Sequence, residues 1–272
     1  MPNSLPPRRA EQSVHCTQTR WIWFSRVEVG STRGWPLITL EQARIFFEKA
    51  IALNPGNIEA MVGLGRVHAT VLVTDDWSAR LAAAETTITK VLSLAPSHAS
   101  AHATLGVVQI FTRRTAQGIA ECEQALALDR NLALAHAYIG LAKYFLGRSA
   151  ETEPHVNEAF RLSPRDTFAH QWLVIVGLAK AQLGADAEAV SWMRRGLDAN
   201  RNDSLEHFFL GAELARLGEL EEARTVVQAG LALDPNFTVS RFRAHVPSDN
   251  PIFLASRERL IEGMRLAGVP EG

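Results

Sequence analysis

The stretch "ALALDRNLALAHAYIGLAKYFLG", residues 125–147, carries a histidine, His136, inside a helix-forming phrase. Similar phrases recur along the chain: "ASAHATLG", "TFAHQWLV" and "SLEHFFLG" place His102, His170 and His207 at nearly the same point. From one histidine to the next the steps are 34, 34 and 37 residues. A nearly fixed period of this size predicts an array of structural repeats.

A second marker of the period is an apolar phrase that ends in proline or a substitute for it. Its steps are 41, 34, 34, 37 and 34 residues, so two units carry insertions of seven and three residues. Between these markers each unit contains two amphipathic helical segments, which in the 131–165 unit break near Gly147. One such pair cannot bury its second face, whereas stacked pairs can. The marker residues are Pro55, Pro96, Arg130, Pro164, Arg201 and Pro235.

Composition limits the classes of function. The chain has 272 residues, 47% of them hydrophobic, with a net charge of −1, which allows a sizeable core and predicts no attraction to nucleic acid. Two cysteines, Cys16 and Cys122, form no crosslinking framework. Together with the absence of a signal-like or membrane-spanning run, they predict a cytoplasmic protein without a membrane segment. No phosphate loop, nucleophile elbow or metal motif occurs, so we expect no catalytic residue, cofactor or metal.

The repeats resemble a known family. "AHAYIGLAKYFLG…EAFRLSP" and "EHFFLGAELARLGELEEARTVVQAGLALDP" are similar to tetratricopeptide (TPR) repeats, with Leu210, Gly211, Gly218, Ala223 and Pro235 at the motif's apolar and small positions. The resemblance implies an all-α fold, a right-handed α-solenoid of helix-turn-helix repeats. We expect about five to six units over residues 36–246.

The last segment, residues 247–272, is predicted to be a capping helix and tail. Asn250 suits the N-cap, Pro251 the first helical position, and Gly268 the stop that follows the helix. A terminal helix with a polar outer face covers the last unit of an array. Capping is therefore favoured over a second possibility, that this helix fills the groove of the array.

The TPR resemblance also implies a concave groove lined by the first helix of every unit. The residues at the inward positions are mostly apolar, which suits an amphipathic helix supplied by a partner or by this chain. The alternative is that tight curvature closes the groove and makes these residues core. A clamp for an acidic chaperone tail is disfavoured, because only Arg66 and Arg216 fit its basic set. The predicted groove residues are Val107, Ile110, Phe111, Leu134, Leu141, Tyr144, Phe145, Phe168, Gln171, Ile175, Leu178, Leu205, Phe208 and Arg216.

Two other features invite a chemical interpretation. We assign the four histidines to the fourth position of the first helix, where the family pattern has a packed side chain; helices 8–10 Å apart would keep neighbouring imidazoles from sharing a zinc ion. Asp75, Asp76 and Trp77 fall in the seven-residue insertion. A solvated loop tethered by the tryptophan is favoured there over a cation or partner site.

Residues 36–272 also resemble, in their phrasing, the carboxyl-terminal TPR half of rhizobial proteins. In these an adenylate or guanylate cyclase domain, or a winged-helix DNA-binding domain, comes first. The resemblance implies the regulatory or scaffolding part of a signalling protein, with the catalytic domain outside this chain. Residues 1–35 include "TQTRWIWFSRVEVG" and predict a poorly structured segment. They represent either a shifted-frame or truncated product or a genuine variable tail.

Overall fold

The structure, a computed structural model, describes residues 40–70 and 76–272. These ranges contain thirteen α-helices and no β-strand, so the predicted all-α class is confirmed. No described helix is both long and apolar enough to cross a bilayer. In chain order the helices are α1 Leu40–Leu53, α2 Ile58–Thr70, α3 Trp77–Leu94, α4 Ala99–Phe111, α5 Thr115–Leu128, α6 Ala133–Phe145, α7 Thr152–Leu162, α8 Ala169–Gln182, α9 Asp186–Ala199, α10 Ser204–Arg216, α11 Leu220–Leu233, α12 Val239–Ala244 and α13 Pro251–Leu266.

Within the described residues the array contains five complete helix pairs: α2 with α3, α4 with α5, α6 with α7, α8 with α9, and α10 with α11. Helix α1 packs on α2 as the second helix of a preceding unit would. Glycine permits the close approach within a pair. A Cβ at Gly106 would lie 2.8 Å from the Gly118 carbonyl oxygen, and one at Gly118 would lie 2.5 Å from the Gly106 oxygen. The backbones of α4 and α5 therefore touch at two residues without side chains.

Equivalent glycines fix the register of the repeats. Gly106, Gly140, Gly177 and Gly211 each face the second helix of their own unit, at steps of 34, 37 and 34 residues. The residue that corresponds to His136 in the fourth unit is therefore Leu173. Our assignment of His170 to this position was wrong, because the three-residue insertion lies ahead of it and moves it one turn toward the start of α8.

The third unit tolerates its departures from the pattern. A short 3-10 turn, Ser149–Glu151, precedes α7, and Pro154 lies within the first turn of that helix, where proline is tolerated. Thr152 stands where the pattern has alanine, and its buried hydroxyl donates a hydrogen bond of 3.0 Å to the Gly140 carbonyl. The polar substitution is thus satisfied inside the interface of α6 and α7.

The chain reverses after the fifth unit. Helix α12 has only six residues, residues 245–250 form a non-helical connection, and α13 packs against α10. The predicted N-cap is present: the Asn250 side chain accepts hydrogen bonds from the Ile252 and Phe253 amides. Gly268, with φ 90°, ends the helix as predicted. A Cβ at Gly263 would overlap the Ala212 carbonyl, so α13 and α10 pack backbone to backbone.

Two of the sequence-based expectations fall outside the described residues. Residues 1–35 are not described, so the interpretation of that segment stays a prediction. Asp75 is also outside the described ranges, whereas Asp76 and Trp77 are within them. Trp77 is buried, as a tethering residue would be, but it is the first residue of α3 and does not lie in the turn between the helices.

Candidate functional site

A largely apolar cavity of about 170 Å³ lies on the inner face of the array. Its walls come from the first helices of all five units, from Trp77 at the start of α3 and from the segment that follows the fifth unit. Aliphatic and aromatic side chains dominate its surface, which is typical of a binding groove. Eleven of the fourteen predicted groove residues line it: Val107, Phe111, Leu134, Leu141, Tyr144, Phe145, Phe168, Gln171, Ile175, Leu178 and Leu205.

The other three predicted residues lie elsewhere. Ile110 is fully buried against Gly118 in its own unit. The ring of Phe208 is stacked on Phe237 at 3.9 Å, within the last core cluster. Arg216 forms ion pairs with Glu213 at 2.6 Å and Asp186 at 3.1 Å. In the fifth unit the cavity is lined by Asp203, Glu206 and Phe209 in addition to the predicted Leu205.

One wall of the cavity was not predicted. It consists of side chains from α12, the connection and α13, and of these only the apolar residues of α13 were expected to cover the last unit. Their hydrophobic spacing is the same for either destination, so no sequence signal separated the two. The residues of this wall are Phe242, His245, Pro247, Phe253, Arg257 and Leu260.

Hydrogen bonds hold this wall against the carboxyl-terminal ends of the first helices. The Ser248 hydroxyl donates to the Phe145 carbonyl at 2.7 Å, and the side-chain Nδ2 of Asn250 donates to the Leu146 carbonyl at 3.0 Å. In the second unit, Arg113 Nε donates to the Val246 carbonyl at 3.0 Å. Helix ends leave carbonyls without intrahelical partners, and the returning chain satisfies them. The segment thus covers one side of the groove as well as the last unit, which corrects the preference for capping alone.

Aromatic side chains seal the same side. The ring of Phe253 lies 5.4 Å from that of Tyr144 and 5.2 Å from that of Phe145, edge to face in both cases. Trp77 lies edge to face with Phe111 at 6.0 Å. Burial raises the pKa of Tyr144, so its phenol stays neutral. These rings close the cavity where the array begins and ends.

The opposite side of the cavity, formed by the amino-terminal ends of the first helices, is less covered. Leu134, Phe168 and Leu205, at the starts of three successive first helices, remain half-buried. The guanidinium of Arg66 lies 5.3 Å from the centroid of the Phe168 ring, so α2 reaches across the concave face to the fourth unit. The array is therefore tightly curved. Curvature buries Val107 and its neighbours as core but leaves this rim partly accessible.

Few polar atoms face the cavity, and some lack partners. Arg257 is 7% exposed, stacks on the Phe242 ring at 3.9 Å and donates from Nη2 to the His245 carbonyl at 2.7 Å. Its Nε and the Trp77 Nε1 have no hydrogen-bond partner within the described residues. Burial lowers the pKa of Arg257 to about 10. The guanidinium remains charged at neutral pH and also satisfies carbonyls at the end of α12.

The histidines differ in their surroundings. His102 Nδ1 lies 2.7 Å from Glu121, and His207 Nδ1 lies 2.9 Å from the Asp203 carbonyl. Burial lowers the pKa of His136, which is half-buried. His170 is buried against Glu206. Three residues of this last site, His170, Asp203 and Glu206, offer ligand atoms within 4.8 Å of one another and could hold a metal ion.

Comparisons with known proteins bear on the fold. No protein-family model and no curated protein matches the chain. The crystal structure of the APC/C hetero-tetramer Cut9–Hcn1 matches 76% of this chain with a TM-score of 0.61 and 16% identity, and this chain spans 40% of that one. A thermophilic TPR protein from Thermus thermophilus matches 75% of this chain and 98% of its own length, with a TM-score of 0.53 and 16% identity. These likenesses confirm the predicted α-solenoid of TPR helix pairs.

Proposed function

We propose that this chain is a non-catalytic TPR module that binds a protein partner through the cavity on its concave face. The observation that carries the proposal is the accessible rim formed by Leu134, Phe168 and Leu205 above an apolar cavity. Removal of apolar surface from water is a main driving force of protein association. A partner that places an apolar side chain in the cavity therefore gains affinity without any charged contact.

The partner that suits this site is an amphipathic helix or peptide with one or two large apolar side chains. The chain's own segment from Phe242 to Leu260 occupies the far side of the groove. A partner helix laid along the whole groove would compete with it. Entry at the rim, with insertion of a few anchor side chains, avoids that competition and follows the usual anatomy of helix-in-groove recognition.

The wider setting is part of the proposal. The resemblance of residues 36–272 to the TPR half of the rhizobial proteins supports a regulatory or scaffolding role in a bacterial signalling protein, in the cytoplasm. Sequencing the DNA across and upstream of the codons for residues 1–36, in three frames, tests this setting. A cyclase or winged-helix domain in another frame would support it. Conversion of ATP or GTP to a cyclic nucleotide by this chain alone, with Mn²⁺, would contradict a non-catalytic module.

The binding role is tested with a displayed library of random peptides. Selection uses the wild-type protein alone, and the double variant Leu134→Asp Leu205→Asp is kept for the comparison. Affinities of the selected peptides are then measured by fluorescence anisotropy. We expect the double variant to bind at least about 10-fold more weakly, because charged groups replace apolar contacts at the rim.

The matched control is Leu94→Asp, which introduces the same charge at a leucine that is 57% exposed and lines no part of the cavity. Its affinity should equal that of the wild type. Circular dichroism confirms that all variants remain helical. Selected peptides that bind the double variant and the wild type equally well, or a failure to select any peptide, would contradict the proposal.

A further inference from the structure

The three-residue insertion in the fourth unit places a histidine at an unusual point. His170 lies in the first turn of α8, one turn before the position that His136 and His207 share. Its side chain is 6% exposed and faces the beginning of α10, where Nδ1 lies 2.6 Å from Glu206 Oε1. The insertion thereby brings an imidazole from one unit onto a carboxylate of the next.

A second carboxylate lies at the same place. Asp203 is the N-cap of α10, and its Oδ1 accepts hydrogen bonds from the Leu205 and Glu206 amides. Ligand atoms of Asp203, His170 and Glu206 lie within 4.8 Å of one another. Atoms bound to zinc lie about 2.0–2.2 Å from the ion, so their mutual distances are about 3–3.5 Å. Binding of one ion would therefore require side-chain rotations that bring the three groups closer together.

The environment of Glu206 favours a positive charge. The residue is 3% exposed, and Oε2 is buried with no hydrogen-bond partner within the described residues. Neither lysine nor arginine forms an ion pair with Glu206 or Asp203 in the described part of the chain. Burial raises the pKa of Glu206, the hydrogen bond from His170 opposes this, and the nearby charge of Asp203 adds to the increase. A buried oxygen without a partner is costly, and a bound cation would remove that cost.

We propose that His170, Asp203 and Glu206 form a binding site for a divalent transition-metal ion, with Zn²⁺ as the best match. One imidazole and two carboxylates are donors that zinc accepts readily, whereas Mg²⁺ and Ca²⁺ prefer oxygen donors alone. Three protein ligands leave a fourth position. Asp203 and Glu206 line the cavity, so water in the cavity would complete the coordination. The site joins the fourth unit to the fifth.

Isothermal titration calorimetry with ZnCl₂ on the chelator-treated full chain tests the site. Two variants preserve the local structure: Glu206→Gln keeps the shape of the side chain, and Asp203→Asn keeps a good N-cap. We expect one saturable site in the wild type and an affinity at least about 10-fold lower in each variant. Zinc should also raise the melting temperature of the wild type and not that of the variants.

The matched control is Glu121→Gln, because the His102–Glu121 pair has the same imidazole–carboxylate contact, at 2.7 Å, but is not part of a three-residue cluster in the described structure. Zinc affinity of this variant should equal that of the wild type. Two results would overturn the proposal. One is the absence of a saturable zinc site in the wild type; the other is a site that neither Glu206→Gln nor Asp203→Asn weakens.

Discussion

The indole ring of Trp77 lies 5.1 Å from the imidazole ring of His245, at an interplanar angle of 79°. Trp77 begins the second helix of the first complete unit, whereas His245 follows the last unit. The contact therefore joins the two ends of the array across its concave face. In an open repeat array, each repeat contacts only the repeats next to it. Here the curvature of the array and the returning segment, residues 239–266, add contacts between units that are distant in the chain.

Replacing the main aromatic anchor of the returning segment should destabilise the protein strongly. Phe253 is buried and packs on Tyr144 and Phe145, so Phe253→Ala leaves a cavity and should lower the free energy of unfolding by about 3–5 kcal/mol. Leu254→Ala, at a neighbouring residue that is 37% exposed, should cost less than about 1 kcal/mol. Urea denaturation of both variants measures the difference. Equal effects would mean that the segment does not pack as described.

Two glycines with the same backbone conformation should respond differently to alanine. Gly147 and Gly184 have φ values of 70° and 79°, so either substitution costs about 1–2 kcal/mol in backbone strain. A Cβ at Gly147 would also lie 2.8 Å from Asn250 Oδ1 and 2.9 Å from Ile252 Cβ, whereas at Gly184 it meets nothing within 4 Å. Gly147→Ala should therefore be the more destabilising by about 1–3 kcal/mol. Thermal and urea unfolding test the ranking, which a smaller effect at Gly147 would contradict.

The stability of the protein should depend on the titration of Glu213. Burial raises the pKa of this carboxyl to about 7, although Arg216 opposes the increase. The unfolded chain releases this proton near pH 4.5, so the folded state binds more protons between these values and stability falls as pH rises from about 4.5 to 7. The loss attributable to Glu213 is about 3 kcal/mol.

The measurement is the free energy of unfolding at several pH values for Glu213→Gln and the wild type. The variant should lack this part of the decline. Glu221→Gln removes a carboxylate whose side chain is 92% exposed and should leave the wild-type profile unchanged. A Glu213→Gln profile parallel to that of the wild type would show that Glu213 is not the group responsible.

The thiol of Cys122 should be unreactive in the folded protein. The side chain is fully buried beside Gly106, and burial raises its pKa, so little thiolate forms at neutral pH. In a Cys16→Ser background, a disulfide exchange reagent should react with Cys122 only as fast as the protein opens. Adding urea to the unfolding midpoint should accelerate the reaction by several orders of magnitude. Rapid labelling of the native protein would contradict the burial.

The paired helices could be predicted from the sequence because they depend on local chemistry. Small residues such as Gly106 and Gly140 recur where two helices must touch, and the apolar spacing distinguishes the buried face. The register of His170, in contrast, does not follow from the sequence. The proline-type markers put the three-residue insertion between Pro164 and Arg201, and the histidine steps of 34 and 37 residues are equally consistent with an insertion after His170.

The path of the returning segment could not be predicted in this way. The apolar face of α13 satisfies the same pattern whether it covers α10 alone or also reaches the ends of α6. What decides the path is the curvature of the whole array, which brings Trp77 within reach of His245. Curvature is the sum of small rotations between units, and no single residue encodes it.

The hydrogen bond between Ser248 and Phe145 joins residues that are 103 positions apart, so it cannot form until some time after Phe145 has been synthesised. A ribosome that adds 5–20 residues per second needs roughly 5–20 s to reach the second residue after the first has been made. During that interval the helix pairs can assemble in order, but the apolar concave face is not yet covered by the returning segment. A nascent chain is therefore most open to chaperones, and to self-association on polysomes, just before its last helix emerges.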